Sequence, residues 1–112
     1  MRYAALALLL TAAACVPEPQ PAPPSAEAGA RGLAIAEKWC ADCHRVSSRQ
    51  HDVARAEMRA PDFITVAARP EVDAGYLRRF MEVQHQPMTT YRLAGEERAD
   101  VVAYFLSLKA SR

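Results

Sequence analysis

Residues 39–44 read WCADCH, two cysteines three apart with a histidine directly after the second. Any fold for this chain has to bring both thiols to one side of a single turn and set an imidazole beside them. Three chemistries use such a group: a redox dithiol, half of a zinc site, and an attachment point for c-type haem. In the haem case each position has a reason. Two thiols add across the two vinyl groups of the porphyrin, so they must face one way, which an i, i+3 placement on a helix achieves. The next residue, His44, is then carried beneath the iron as its proximal ligand. A zinc site needs a second pair of ligands, and the sequence offers only His51 and His85, with no second Cys pair. A thioredoxin-like dithiol follows a strand, and no strand pattern precedes Cys40. Haem attachment through Cys40 and Cys43 is the favoured reading.

The chain has 112 residues, and its first third does not read as part of a folded unit. Residues 1–15, MRYAALALLLTAAAC, carry one positive charge, an apolar run from Tyr3 to Leu10, and small residues before Cys15. That run is too short for a permanent span, so the segment reads as a removed export signal, placing the protein in the periplasm. Cys15 has two readings. The segment resembles a bacterial lipoprotein signal, in which such a cysteine is lipidated and becomes the first residue; alternatively a signal peptidase cuts after the alanines. Residues 16–28 hold five of the chain's eight prolines and read as a semi-rigid spacer, either a tether behind a lipid anchor or a plain disordered leader.

The domain itself is expected over residues 29–112, a size at which an apolar core alone gives marginal stability and a covalently fixed haem would supply the missing core. Lys and Arg number 14 against 13 Asp and Glu, well mixed, which argues against nucleic acid and against strong electrostatic steering of partners. The pattern predicts a helix from about Ala26 to His44, with Leu33, Ala36, Cys40 and Cys43 on one face. Residues 45–60 read as a polar loop with at most a turn of helix. Asp62 is placed to cap a short helix through Phe63, Ile64 and Val66, and Asp73 to cap another reaching about Gln84. A last helix from about Glu96 to Lys109 buries Val101, Val102, Phe105 and Leu108, its end charges matched to the dipole. Four or five helices and no strand pattern make an all-α domain.

A second axial ligand has five candidates: Met58, Met81, Met88, His51 and His85. Met58 lies in an Arg-rich loop, and Met81 on the packed face of a helix, where methionine serves mostly as a gap-filler. Met88 follows a proline on an irregular segment that can lay a thioether over a flat ring. It is the favoured distal ligand, with His85, or no strong sixth ligand, as alternatives.

Four motifs occur in order: G-x7-C-x-x-C-H from Gly32, APDF at 60–63, HQPM at 85–88 and DVVAYFLSL at 100–108. In this the chain resembles the small class I cytochromes c of bacteria. The resemblance implies a fold of helices wrapped around one covalent haem c. It implies that Gly32 and Tyr104 meet where the first and last helices cross, and that the Pro61 carbonyl accepts the Nδ1 proton of His44. Ala94 departs from the family, standing where a serine cap is usual, and Arg98 where an apolar residue is common. With His44 and Met88 both on the iron no site is open for oxygen or peroxide, so the expected function is not catalysis. It is electron transfer by a monomer between a donor and an acceptor redox protein. A haem subunit dedicated to one periplasmic oxidoreductase is the alternative, and a ligand-binding haem protein a more distant one.

Overall fold

In the computed structural model, which describes residues 24–83 and 93–111, four α-helices follow one another: α1 (Ala26–Trp39), α2 (Phe63–Ala67), α3 (Ala74–Glu82) and α4 (Gly95–Ala110). A single 3₁₀ turn, Ala56–Met58, interrupts the long connection between α1 and α2. Among the described residues there is no strand, and no helix is long and apolar enough to cross a membrane. The fold is all-α, as the sequence pattern requires.

Each helix begins where the side chains can satisfy its unpaired N–H groups. Ser25 Oγ accepts from the Ala28 amide at 3.1 Å and starts α1. Asp62 accepts from Ile64 at 2.7 Å and from Thr65 at 3.3 Å, and Asp73 accepts from Tyr76 at 2.7 Å. Both aspartates therefore cap as expected. Ala94 has no side-chain acceptor to offer α4, but Glu97 reaches back and accepts from the Ala94 amide at 2.7 Å. Arg98 does not enter the core; its guanidinium donates to the Leu93 carbonyl at 2.9 Å. The two departures from the family pattern thus become a reversed cap.

The first helix is shorter than its alanine-rich composition predicts. It ends at Trp39, where the Ala36 carbonyl accepts from both Cys40, at 2.9 Å, and Ala41, at 3.1 Å. Residues 40–43 continue as a turn, with Cys43 and His44 both donating to the Cys40 carbonyl, at 3.1 and 2.8 Å. The third helix stops at Glu82.

α1 and α4 make the most extensive helix contact, and α2 and α3 both pack on α4. On α1 the buried positions are Gly29, Gly32 and Ala36, all small, so the backbones approach closely. A methyl group built on Gly32 would overlap the Asp100 carbonyl and stand 2.9 Å from Tyr104 Cβ, which confirms that Gly32 and Tyr104 meet at the crossing. α4 is buried at five consecutive residues, Val101 to Tyr104 and Phe105, because neighbours cover more than one of its faces. Leu108 is only half-buried. At its C-terminal end the Lys109 ammonium donates to three carbonyls, Arg69 (3.1 Å), Pro70 (3.4 Å) and Val72 (2.8 Å), and so pins the α2–α3 connection.

Candidate haem site

The turn after α1 carries Cys40, Cys43 and His44 within five residues, and the core closes directly behind it. Cys40 and His44 are each 8% exposed, Cys43 is half-buried, and Val46 is fully buried. The two thiols are free, not bridged to each other. Burial, with a smaller contribution from Cys43, pushes the Cys40 thiol up to about 11. That is the opposite of the lowered value a redox dithiol uses. Among the described residues no three His, Cys, Asp or Glu side chains converge as a site for a free metal ion.

His44 has a defined ring orientation. Its Nδ1 lies 2.7 Å from the Pro61 carbonyl oxygen. A carbonyl only accepts, so Nδ1 donates, and in the neutral ring Nε2 is the nitrogen that carries the lone pair. Among the described residues no hydrogen bond reaches Nε2. Phe63 holds the flank of the ring, with centroids 5.1 Å apart and planes tilted by 55°, and Phe63 in turn packs on Phe105 at 4.5 Å. Pro61 is positioned from its C-terminal side by the Asp62 cap of α2 and from the chain behind His44 by the bond from the Phe63 amide to the Arg45 carbonyl, 3.0 Å. Two cysteines one turn apart and an adjacent imidazole whose orientation is set by the Pro61 carbonyl suit a covalently bound haem.

Further hydrogen bonds hold the backbone of this turn. The Tyr104 hydroxyl, from α4, donates to the Val46 carbonyl at 2.7 Å, and burial raises the pKa of that phenol. The Gln50 side chain accepts from the Val46 amide and donates to the carbonyls of Ala41 and His44. Sequence reasoning passed over Gln50, which stands in a polar stretch without periodicity. It placed Tyr104 at the helix crossing but not its hydroxyl on the turn.

Of the candidates for a second axial ligand, Met58 is half-buried on the 3₁₀ turn with its sulfur 3.9 Å from the Arg55 guanidinium, and Met81 is half-buried against the core. His51 is exposed. Met88 and His85, like Cys15, lie outside the described residues.

Comparison with known proteins gives the same direction. The cytochrome c family matches residues 29–109. Cytochrome c-552 of Bradyrhizobium diazoefficiens is 36% identical over 85 residues, covering 76% of this chain and 78% of that protein. No solved structure matches the chain significantly. A family match over most of the chain, a relative of that identity and an all-α fold place it among the small class I cytochromes: the chain belongs to the cytochrome c family, carries one covalently attached haem c and is an electron carrier.

Proposed function

We propose that this protein moves single electrons between a donor and an acceptor redox protein in the periplasm, through a haem iron held by His44 and Met88 and a porphyrin bound to Cys40 and Cys43. The observation that carries the reading is the 2.7 Å bond from His44 Nδ1 to the Pro61 carbonyl, which leaves Nε2 as a donor of fixed direction. When bound, the haem supplies a reversible one-electron couple at its iron. The protein's residues do the rest. Cys40 and Cys43 anchor the ring covalently, so the cofactor is not lost between encounters. The Pro61 carbonyl keeps the His44 ring from turning and, by drawing on its N–H, makes Nε2 a better donor. Phe63 packs against the flank of the imidazole and limits its movement. Met88 supplies a neutral thioether, which favours the ferrous state and leaves no coordination position for a substrate; the protein is then a carrier and not an enzyme.

The location and the domain limits rest on the sequence. Residues 1–15 act as an export signal, residues 16–28 as a proline-rich tether whose last three residues already belong to α1, and residues 29–112 as the cytochrome domain, a monomer. Cys15 is lipidated, which holds the domain at a membrane surface facing the periplasm. Nothing in the mixed surface charge suits nucleic acid.

The decisive experiment is Met88→Ala in the mature holoprotein. The wild-type ferric form is expected to show the weak near-infrared band of sulfur-to-iron ligation and to bind cyanide poorly, and the ferrous form to bind carbon monoxide poorly. Met88→Ala should lose the band, lower the reduction potential and open the iron to those ligands, with the haem still attached. A band that survives Met88→Ala, with His85→Ala perturbing the iron instead, would overturn the distal assignment. Replacing Cys40 and Cys43 with Ala should abolish acid-stable haem retention, and retention in that variant would overturn the attachment assignment.

A further inference from the structure

The three residues after Cys43 are held by Cys40, Gln50, Pro61, Phe63 and Tyr104, and the Gln50 side chain alone bonds to two of them and to Ala41 before them. Gln50 Oε1 accepts from the Val46 amide at 2.8 Å. Gln50 Nε2 faces three carbonyls, Ala41 at 2.9 Å, His44 at 3.2 Å and Asp52 at 3.1 Å. The orientation of the amide is fixed by its partners: an N–H faces only an acceptor, and three carbonyls face only a donor. Its own backbone closes the loop, with the Gln50 amide on the Ser47 carbonyl at 3.2 Å and Arg45 Nε on the Gln50 carbonyl at 3.1 Å.

The residues tied together are informative. Ala41 lies between the two cysteines, His44 carries the imidazole, and Val46 is the first fully buried residue beyond it. Gln50 itself is only half-buried and is not part of the apolar core. Its contribution is therefore to geometry, by cross-linking the attachment turn to the ligand residue, and much less to buried apolar area.

We propose that Gln50 is a positioning residue for the proximal ligand: its side-chain amide locks the backbone on both sides of His44 so that the imidazole keeps one plane toward the iron. The inference rests on the reading of His44 as an iron ligand. Pro61 acts on the ring at Nδ1, while Gln50 acts on the backbone that carries it, so both are needed to hold the ring's position and its rotation. Removing Gln50 leaves the ring its Pro61 bond but frees the peptide planes at Ala41 and His44 to tilt.

The test compares mature holoproteins. Gln50→Met keeps the length of the side chain and removes its hydrogen bonds. Gln50→Glu keeps an acceptor for the Val46 amide and sets a carboxylate against the carbonyls, so the test stands even if Gln50→Met folds poorly. Lys109→Met is the control, since it removes a side-chain-to-carbonyl staple at the α2–α3 connection and none at the turn. The readouts are the paramagnetically shifted haem-methyl resonances of the ferric form, which report the plane of the axial imidazole, the reduction potential, and amide exchange at Val46. Gln50→Met should reorder the methyl shifts, move the potential and speed Val46 exchange by about tenfold, the loss of one hydrogen bond. Gln50→Glu should move the methyl shifts and the potential with Val46 still protected. Lys109→Met should lower the melting temperature and change none of the three. Unaltered methyl shifts and potential in both Gln50 variants, while His44→Ala still abolishes the low-spin iron, would overturn the positioning role alone. Low-spin iron that persists in His44→Ala would overturn the ligand reading beneath it.

Discussion

The crossing of α1 and α4 and the segment from Cys40 to Asp62 are ordered by different means. At the crossing, small residues let two helices touch, and the order comes from contact: Gly32 leaves no room for a methyl group, and five consecutive residues of α4 are buried. From Cys40 to Asp62 there is one short 3₁₀ turn, and the order comes from hydrogen bonds that place individual groups, Nδ1 of His44 on Pro61, Val46 on Gln50 and Tyr104, Phe63 on Arg45. Packing is cohesive but sets no single direction; a hydrogen bond has a donor, an acceptor and an angle. A protein that has to hold one imidazole in one orientation uses the second on a frame built from the first.

The crossing is the place where the frame is expected to fail most severely. Gly32→Ala forces α1 away from the Asp100 carbonyl and from Tyr104, at a cost of about 3 kcal/mol, the upper part of the range for overpacking a tight contact. Thermal unfolding of the holoprotein measures it. If the two regions are ordered independently, the variant's haem spectrum below its melting point should match the wild type, and a changed spectrum would show that the frame sets the geometry directly.

A smaller effect is expected where the regions join. The Tyr104 hydroxyl comes from the crossing and ends on the Val46 carbonyl. Tyr104→Phe keeps the packing and leaves that buried carbonyl without its partner, which should cost about 1–2 kcal/mol. Chemical denaturation checks the cost. Because the lost bond belongs to the attachment turn, the haem-methyl shifts should move here even though the stability change is the lesser of the two.

The smallest effect is on the outside of the crossing. Arg31 donates twice to Asp100, at 2.8 Å each, and this hydrogen bond holds the Asp100 carboxyl below its ordinary value of 3.8. Asp73 is lowered too, chiefly by the Tyr76 amide. A carboxyl whose value is depressed in the folded state adds stability that is present above its unfolded value and lost as pH falls through its folded one. Stability should therefore decline as pH drops below about 4. Asp100→Asn should flatten part of that acid limb in melting curves taken against pH. Since the Arg31 side chain is 53% exposed, added salt should shrink the difference.

Much of the frame could be read directly. Asp62 and Asp73 announce their helices because a cap acts within three residues, and Val101, Val102 and Phe105 read as buried positions of a last helix, whereas Leu108, expected with them, is half-buried. The end of α1 could not be read so well. Alanine-rich sequence favours helix through His44, but the Ala41 carbonyl is taken by Gln50, nine residues on, and is not left for a helical partner. Of the candidate site, Cys40, Cys43 and His44 were legible because attachment chemistry demands a fixed local spacing. Met88 is favoured by its proline and its irregular setting, and lies outside the described residues.

By itself, then, the sequence determined what acts over a few residues: the thiols one turn apart with the imidazole after them, the capping aspartates and the all-α class. Family likeness added the pairs Gly32 with Tyr104 and His44 with Pro61. Only the tertiary structure decided that the Tyr104 hydroxyl reaches a carbonyl 58 residues away, that Arg31 grips Asp100 across 69 residues, and that Gln50 bridges the carbonyls of Ala41 and His44. The physical reason is range. Capping and helical spacing are set by covalent connection along the chain, whereas a hydrogen bond between distant segments exists only once packing has brought them within 3 Å or so of each other, and no local pattern records which partners those will be.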